Sequence, residues 1–320
     1  MNILITGAGG FIGQALATSL MKDDTVAKLI LTDVVEPAIP QVQSACKVQA
    51  VKADLTQREV CEGLLTQDLT HVYLLHGIMS GAAEANLELG LKVNIDSMRY
   101  VMDTLRAVKP GIRVVFPSSL AVFGPMGEGD VVTETTMPSP QSSYGAQKQI
   151  CETLLNDFSR RGLLDGRIVR LPTIIVRPGR PTGAASSFCS GIIREPLNGE
   201  KSVLPVPRSL KLWVCSTRTV IKNLLIARDI PEAGFGKGSR IVNLPGITVT
   251  VQQMLEALQE VGGDSALSKL EESADKAVVD IVGSWPAEFD VKRARDLGFE
   301  GDGPLSQTIR EYMEDYQPKK

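Results

Sequence analysis

The first thirteen residues, M-N-I-L-I-T-G-A-G-G-F-I-G, constrain the fold more than any other stretch of the chain. A short β-rich run, Ile3 to Thr6, enters a turn holding Gly7, Gly10 and Gly13, and a helix-like run from Phe11 to Ala17 leaves it. The spacing G-x-x-G-x-x-G is a short variant of the turn that binds a dinucleotide. One glycine makes the tight turn, one lets backbone approach a pyrophosphate, and one packs helix against strand. Unpaired N–H groups and the dipole at the helix start favour the phosphate charge. Glycines also serve ordinary turns, so context decides. Asp33 ends a second strand-like run, Lys28 to Thr32, twenty residues after Gly13. A carboxylate there suits both hydroxyls of an adenosine ribose and repels a 2′-phosphate, which points to NAD rather than NADP.

The first half continues as alternating strands and helices, the pattern of an α/β fold: a Rossmann-type, doubly wound parallel sheet with helices on both faces. Strands are expected near 2–6, 28–33, 47–52, 71–76, 112–116 and 167–171, and helices near 10–21, 58–65, 83–108 and 142–161. After Leu171 the texture changes, as Pro172, Pro178, Pro181, Pro196, Pro205 and Pro207 interrupt segments too short for a second regular α/β repeat. Later pieces read as a strand at 211–215, a helix at 217–228, a strand at 240–243, and helices near 251–261 and 304–314. The expected organisation is an NAD-binding domain over 1–172, with 208–245 returning to it. A smaller, discontinuous substrate-binding region, 173–207 and 246–320, lies over the carboxyl ends of the strands, where open parallel sheets bind ligands.

Bulk properties exclude several function classes. The 320 residues carry a formal net charge of −3, which gives no electrostatic footprint for nucleic acid or an anionic membrane. No apolar run approaches membrane-spanning length. Cys46, Cys61, Cys151, Cys189 and Cys215 are scattered without a C-x-x-C pair, the pattern of reduced thiols in a cytoplasmic protein. With only His71 and His76 as histidines, no His-based metal site is expected. The first strand is expected at the very start of the sequence, so no signal peptide is expected.

The second informative constellation is Tyr144-Gly-Ala-Gln-Lys148 in a helical stretch, preceded by Ser118 and Ser119 after the strand Arg113 to Phe116. Tyrosine and lysine four apart on a helix share a face. An ammonium near a phenol stabilises the phenolate, so tyrosine can act as a base near neutral pH. A serine at the strand end can hold the substrate oxygen beside that phenol.

Together these motifs resemble the extended short-chain dehydrogenase/reductase family, also called the NAD-dependent epimerase/dehydratase family, over nearly the whole chain. The resemblance implies Ser119 as catalytic serine, Tyr144 as acid/base, and Lys148 as the partner that also holds the nicotinamide ribose. It places Gly7, Gly10 and Gly13 at the phosphates with the Phe11 and Ile12 amides, Asp33 at the ribose, and Asp54 and Leu55 beside adenine. Leu75, His76 and Gly77, and later Leu171 and Thr173, would flank the cofactor, and Asn94 would steady the lysine or its water. One departure stands out, because His76 falls where the family commonly has alanine. It is either a contact in the cleft or a wall substitution with its ring turned away.

The intact Ser/Tyr/Lys set does not choose among epimerase, dehydratase and dehydrogenase. Local strings narrow the choice: L-T-D-V-V from Leu31, S-G-A-A-E-A from Ser80, S-S-L-A-V-F-G from Ser118 and P-Q-S-S-Y-G from Pro140. In the second half R-L-P-T from Arg170, V-R-P-G from Val176, A-A-S-S-F from Ala184, G-I-I-R-E-P from Gly191 and S-W-P from Ser284 are more telling. These are similar to dehydrogenases of four-carbon sugar acids within the family. The similarity implies NAD-linked oxidation of the C2 hydroxyl of D-erythronate to 2-oxo-tetronate. Such an acid needs its carboxylate held, and arginine suits that geometry. Arg177, Arg180, Arg194 and Arg218 are candidates, with Arg177 favoured because it follows the last first-domain strand. Ser80, Ser186 and Ser187 are candidates for sugar hydroxyls or simple turn and cap residues, and Trp213 and Trp285 are expected in the core. The alternative is a nucleotide-sugar epimerase or dehydratase, whose second pocket would draw on Arg208, Lys211 and Arg218. A regulator that binds NAD without turnover is a further alternative. The resemblance also implies a homodimer paired through helices near 83–108 and 142–161, although the stripe Leu87, Leu91, Val101 and Leu105 equally fits packing on the sheet.

Overall fold

Alternation along the first strand sets the layer architecture. In β1 (Asn2–Thr6) the side chains of Ile3 and Ile5 enter one core and Leu4 enters another on the opposite face. A strand apolar on both faces must be covered twice, which is the parallel-sheet condition. The computed structural model describes residues 1–127, 129–236 and 238–317. Its central sheet also contains β2 (Lys28–Asp33), β3 (Lys47–Lys52), β4 (His71–Leu74), β5 (Arg113–Ser119) and β6 (Asp165–Leu171). A seventh strand, Ile241–Asn243, completes it. All neighbours pair in parallel, in the order β3-β2-β1-β4-β5-β6 followed by 241–243. The order reverses between β1 and β4, and a crevice opens at the carboxyl ends there.

One face of the sheet is covered by α1 (Phe11–Leu20) and by the helix Thr217–Asp229. The other is covered by α2 (Arg58–Leu64), the helix Ser97–Val108 and the helix Ser143–Arg160. Pro172 separates β6 from β7 (Thr173–Ile175), which leaves the main sheet and pairs with Lys211–Ser216. That strand also pairs antiparallel with Ile247–Thr250, so a three-stranded sheet forms a second layer. Its own core is closed by the helices Ser187–Leu197, Val251–Leu267 and Leu305–Tyr316. The chain crosses between the layers repeatedly: the strand 211–216 belongs to the small sheet, the helix after it to the large one. Residues Val291, Ala294 and Phe299 also pack against the large sheet. Among the described residues no helix is long and apolar enough to cross a membrane.

The region expected as one helix over 83–108 is broken. Asn86 leaves helical geometry at φ −142° and ψ 91°, and its side chain accepts a hydrogen bond from the Leu89 amide. Asparagine competes for backbone donors in this way and so favours caps over helix interiors. A π-helical segment, Leu91–Asp96, then shifts the helix register before Ser97–Val108 begins. The expected stripe is split as a result: Leu87 is 52% exposed, whereas Val101 and Leu105 are fully buried on the sheet. Strand β5 runs three residues further than expected, through Ser119, and the helix from Val251 continues past 261 to a kink at Gly263.

The helix Ser143–Arg160 (α3 hereafter) begins beneath the Ser142 hydroxyl, which accepts from the Gly145 amide. Gly145 lets the helix approach the turn after β5: a Cβ there would lie 2.1 Å from the Ala121 carbonyl oxygen. Gly145→Ala is expected to lower stability by about 1–3 kcal/mol, as overpacking does, read as a lower urea midpoint. Activity per folded molecule should fall with it, because the clash levers Tyr144 away from Ser119; unchanged values of both would refute the close-packing role.

Candidate active site

A cavity of about 770 Å³ occupies the crevice at the carboxyl ends of the strands, with walls from both layers. At one end are Gly7, Gly10, Phe11, Ile12 and Gly13 at the start of α1. That helix has no side-chain cap, so its first amides are left for a ligand. Gly7 has φ +67°, and a Cβ there would meet the His76 amide at 2.6 Å, so the turn and the end of β4 sit in direct backbone contact. Asp33 also lines the cavity, its carboxylate fixed by the amides of Gly9 at 3.0 Å and Val34 at 2.7 Å. Asp54 and Leu55 follow β3, and Lys92 lies close enough to Asp54 for its charge to be felt there. The Thr56 hydroxyl and amide hold the Asp54 carboxyl below its usual range. An uncapped helix start opposite a fixed carboxylate fits the phosphates and ribose of a dinucleotide, and these residues would hold it.

Leu75, His76 and Gly77 form the wall beyond β4. The His76 ring is held at both nitrogens, with Nδ1 2.7 Å from Thr6 Oγ1 and Nε2 2.9 Å from Ser97 Oγ. Ser97 donates its own proton to the Val93 carbonyl at 2.5 Å. Its oxygen therefore accepts from His76 Nε2–H, and Nδ1 accepts from Thr6. Burial, with Lys148 nearby, pushes the ring down to about 3, so it stays neutral. This histidine braces β1 against the helix 97–108 and spends both nitrogens on the chain itself. Asn94 lies behind the wall rather than in it. Its side chain accepts from the Ile78 amide at 2.8 Å and donates to the Ile78 carbonyl and, at 2.7 Å, to Gln147 Oε1. It clamps the loop after β4 to α3. Gln147 carries no sequence signal for this, since a glutamine in a helix reads as solvated.

Ser119, Tyr144 and Lys148 meet across the cavity. Ser119 Oγ accepts from the Ala121 amide at 3.1 Å, which leaves its proton free to donate. Lys148 reaches under β5, donating to the Pro117 carbonyl at 2.9 Å, with its ammonium 4.6 Å from the Phe116 ring centroid. Burial pulls Lys148 down to about 8 and pushes the Tyr144 phenol up to about 12. The cation that opposes the rise at Tyr144 is Arg177, the part that the sequence pattern assigned to Lys148.

Arg177 is built in firmly. Its Nε donates to the Ile174 carbonyl at 3.0 Å and its Nη2 to Ser186 Oγ at 2.9 Å. Its own backbone is tied to Ser190 Oγ and to Arg194 Nη1. Of the four arginine candidates it alone lines the cavity. Arg180 is exposed, Arg194 is buried against Glu195, and Arg218 is bound to Glu314 and Asp315. Leu171 and Thr173 lie beside it on the floor. Ser80 and Ser186 also line the cavity, and each already accepts one hydrogen bond, Ser80 from the Ala185 amide and Ser186 from Arg177. Ser187 accepts from the Thr182 amide. Trp213 is buried and stacked on Phe289 at 5.1 Å. Trp285 packs half-buried against both cores, as expected, and also contributes to the cavity wall, as does Thr182, which no pattern singled out.

A glycine turn, a fixed carboxylate and a Ser/Tyr/Lys set thus share one crevice. The model of the NAD dependent epimerase/dehydratase family matches residues 3–233. D-erythronate dehydrogenase of Cupriavidus necator is 42% identical, over 98% of both chains. D-erythronate dehydrogenase of Haemophilus influenzae is 40% identical, over 98% of this chain and 99% of that one. A crystal structure described as the nucleoside-diphosphate-sugar epimerase from Agrobacterium tumefaciens superposes with a TM-score of 0.91 at 38% identity, covering 98% of this chain and 94% of the other. With a family match across most of its length and relatives this similar, the chain belongs to the NAD dependent epimerase/dehydratase family.

Proposed function

We propose that this protein is an NAD-dependent dehydrogenase that oxidises the C2 hydroxyl of D-erythronate to 2-oxo-tetronate. The observation that carries the reading is Arg177, a guanidinium held in place by its own chain and facing the cavity that Tyr144, Ser119 and Lys148 share. A fixed fork of donors is what a small carboxylate requires, and a sugar acid brings both that carboxylate and an adjacent hydroxyl. The names of the two relatives at 40% and 42% identity support the same substrate.

In this mechanism Arg177 pairs with the substrate carboxylate and orients C2. Ser80 and Ser186 donate their free protons to sugar hydroxyls. Tyr144, as phenolate, takes the proton of the C2 hydroxyl, and Ser119 donates to the same oxygen as it gains carbonyl character. Arg177 supplies the positive field that opposes the desolvation of the buried phenol, and Lys148 holds its place beside the phenol through the Pro117 carbonyl. A nicotinamide held in the cavity would supply the acceptor for the hydride that leaves C2 as the hydroxyl proton passes to Tyr144. Positioning is the chain's main contribution. Asp33 makes NAD the expected form, because its carboxylate would face a 2′-phosphate.

The Agrobacterium structure's description favours a second reading, a nucleotide-sugar epimerase. Against it, Arg208, Lys211 and Arg218 do not line the cavity and are each engaged by a carboxylate, Glu272, Glu288 and Asp315 respectively. We also propose a cytoplasmic homodimer. Five free cysteines fit a reducing compartment, and half-exposed Leu87, Leu89 and Ile150 offer an apolar face.

The deciding experiment follows NADH formation with D-erythronate, D-threonate and L-threonate, beside product analysis with UDP-glucose and UDP-galactose. Reduction with D-erythronate is expected; inert acids and an isomerised nucleotide sugar would establish the epimerase instead. Tyr144→Phe should lower kcat by at least about 10²-fold, the scale of a lost general base, with NAD affinity by calorimetry little changed. Near-normal turnover would remove Tyr144 from the chemistry. Asp33→Ala should raise the NADP-to-NAD ratio of kcat/KM by roughly tenfold, and a constant ratio would count against the ribose role. Arg177→Met should raise KM for the acid by on the order of a hundredfold, the cost of unpairing a buried charge. Because Arg177 lowers the phenol's pKa, its loss should also move the acid limb of the kcat/KM profile to higher pH. A limb that stays in place would show that Arg177 does not act on Tyr144.

A further inference from the structure

We propose that the buried ion pair Glu152–Arg170 governs Lys148, Glu152 supplying the counter-charge of the ammonium and Arg170 holding that carboxylate back from it. Glu152 and Arg170 touch no part of the cavity and would act as positioning residues; their effect on turnover rests on the catalytic reading of Lys148 given above.

Tyr144, Lys148 and Glu152 are spaced four apart along α3 and so stand one turn apart on one face. Lys148 and Glu152 are both buried, at 8% and 1% exposure. An ammonium at that depth sheds its proton unless a negative charge opposes the loss. The titratable and charged groups around Lys148 are Tyr144, Cys151 and Glu152 of its own helix, His76 beyond β4, and Arg177, Lys92, Asp54 and Asp33 around the cavity. His76 is neutral, and burial pushes the Cys151 thiol up to about 12. Against the desolvation that lowers Lys148 stand Cys151 and then Glu152; with the thiol protonated, Glu152 is the carboxylate that supplies a full negative charge.

A free glutamate one turn from a lysine would pair with it directly and draw the ammonium along the helix, away from the cavity. Here both Glu152 oxygens are taken, by Arg170 Nε at 2.8 Å and Nη2 at 2.7 Å. Such a fork is the strongest geometry available to a carboxylate. Arg170 is itself held from β6, with its guanidinium 4.7 Å from the Phe123 ring centroid. Lys148 therefore donates to the Pro117 carbonyl instead, at the mouth of β5. The field of Glu152 reaches Lys148 while its oxygens do not.

The test is the titration midpoint of Lys148, read by NMR on protein labelled with ¹³C-lysine, the resonance assigned from its loss in Lys148→Met. Removing the negative partner should lower the midpoint, and removing the positive one should raise it. Glu152→Gln is expected to move it down by on the order of one pH unit, Arg170→Met up, and Glu152→Gln with Arg170→Met to leave it below the wild-type value, because no carboxylate remains for the arginine to hold back. The double variant also removes the unpaired buried charge that could unfold either single one. The basic limb of kcat/KM for D-erythronate should shift in the same directions. A midpoint unmoved in Glu152→Gln, or moved the same way in both single variants, overturns the proposal and leaves the pair a packing feature that changes Tm alone. Opposite shifts in the two single variants, with a wild-type protein that forms no NADH, would uphold the pair's role and overturn the dehydrogenase reading instead.

Discussion

The reach of Lys148 from α3 to the Pro117 carbonyl is the interaction on which the site depends. It ties a helix from one face of the sheet to the mouth of β5, and it forms because Gly145 lets the helix rest on the backbone of Ala121. That contact brings Tyr144 opposite Ser119, although 25 residues of chain separate them. The second layer then adds Arg177 from beyond β7, so that end of the cavity is made where two sheets meet.

Burial and charge are in tension throughout this site. Desolvation disfavours both the phenolate of Tyr144 and the ammonium of Lys148. The compensation comes from groups outside the Ser/Tyr/Lys set: Arg177 for the phenol, and Glu152, restrained by Arg170, for the ammonium. His76 shows the same economy in neutral form. Its ring is fully used in bridging Thr6 and Ser97, so the residue that departs from the family pattern stiffens the wall.

Local chemistry was legible where the chain is locally periodic or locally strained. The glycine turn, the strand pattern through Leu171, and the one-turn spacing of Tyr144 and Lys148 need only neighbouring residues to be understood. The helix over 83–108 was misread because apolar periodicity does not register an asparagine that prefers to cap, or a π turn that changes face between Leu91 and Val101. Trp285 packs against both cores, as tryptophan usually does, but its share in the cavity wall depends on a segment over a hundred residues beyond β7.

The sequence by itself determined the doubly wound sheet, the crevice where a dinucleotide fits, and the one-face spacing of the tyrosine and lysine proposed to handle the proton, because each follows from turns, periods and charges within a few residues of one another. Tertiary structure alone decided which arginine faces the cavity, how His76 and Asn94 are spent, and which carboxylate answers Lys148. Those outcomes depend on burial and on partners brought in from distant strands. Arg177, Arg180, Arg194 and Arg218 look alike as letters, and only packing separates a guanidinium held at a cavity wall from one buried against Glu195 or bound at the surface by Asp315.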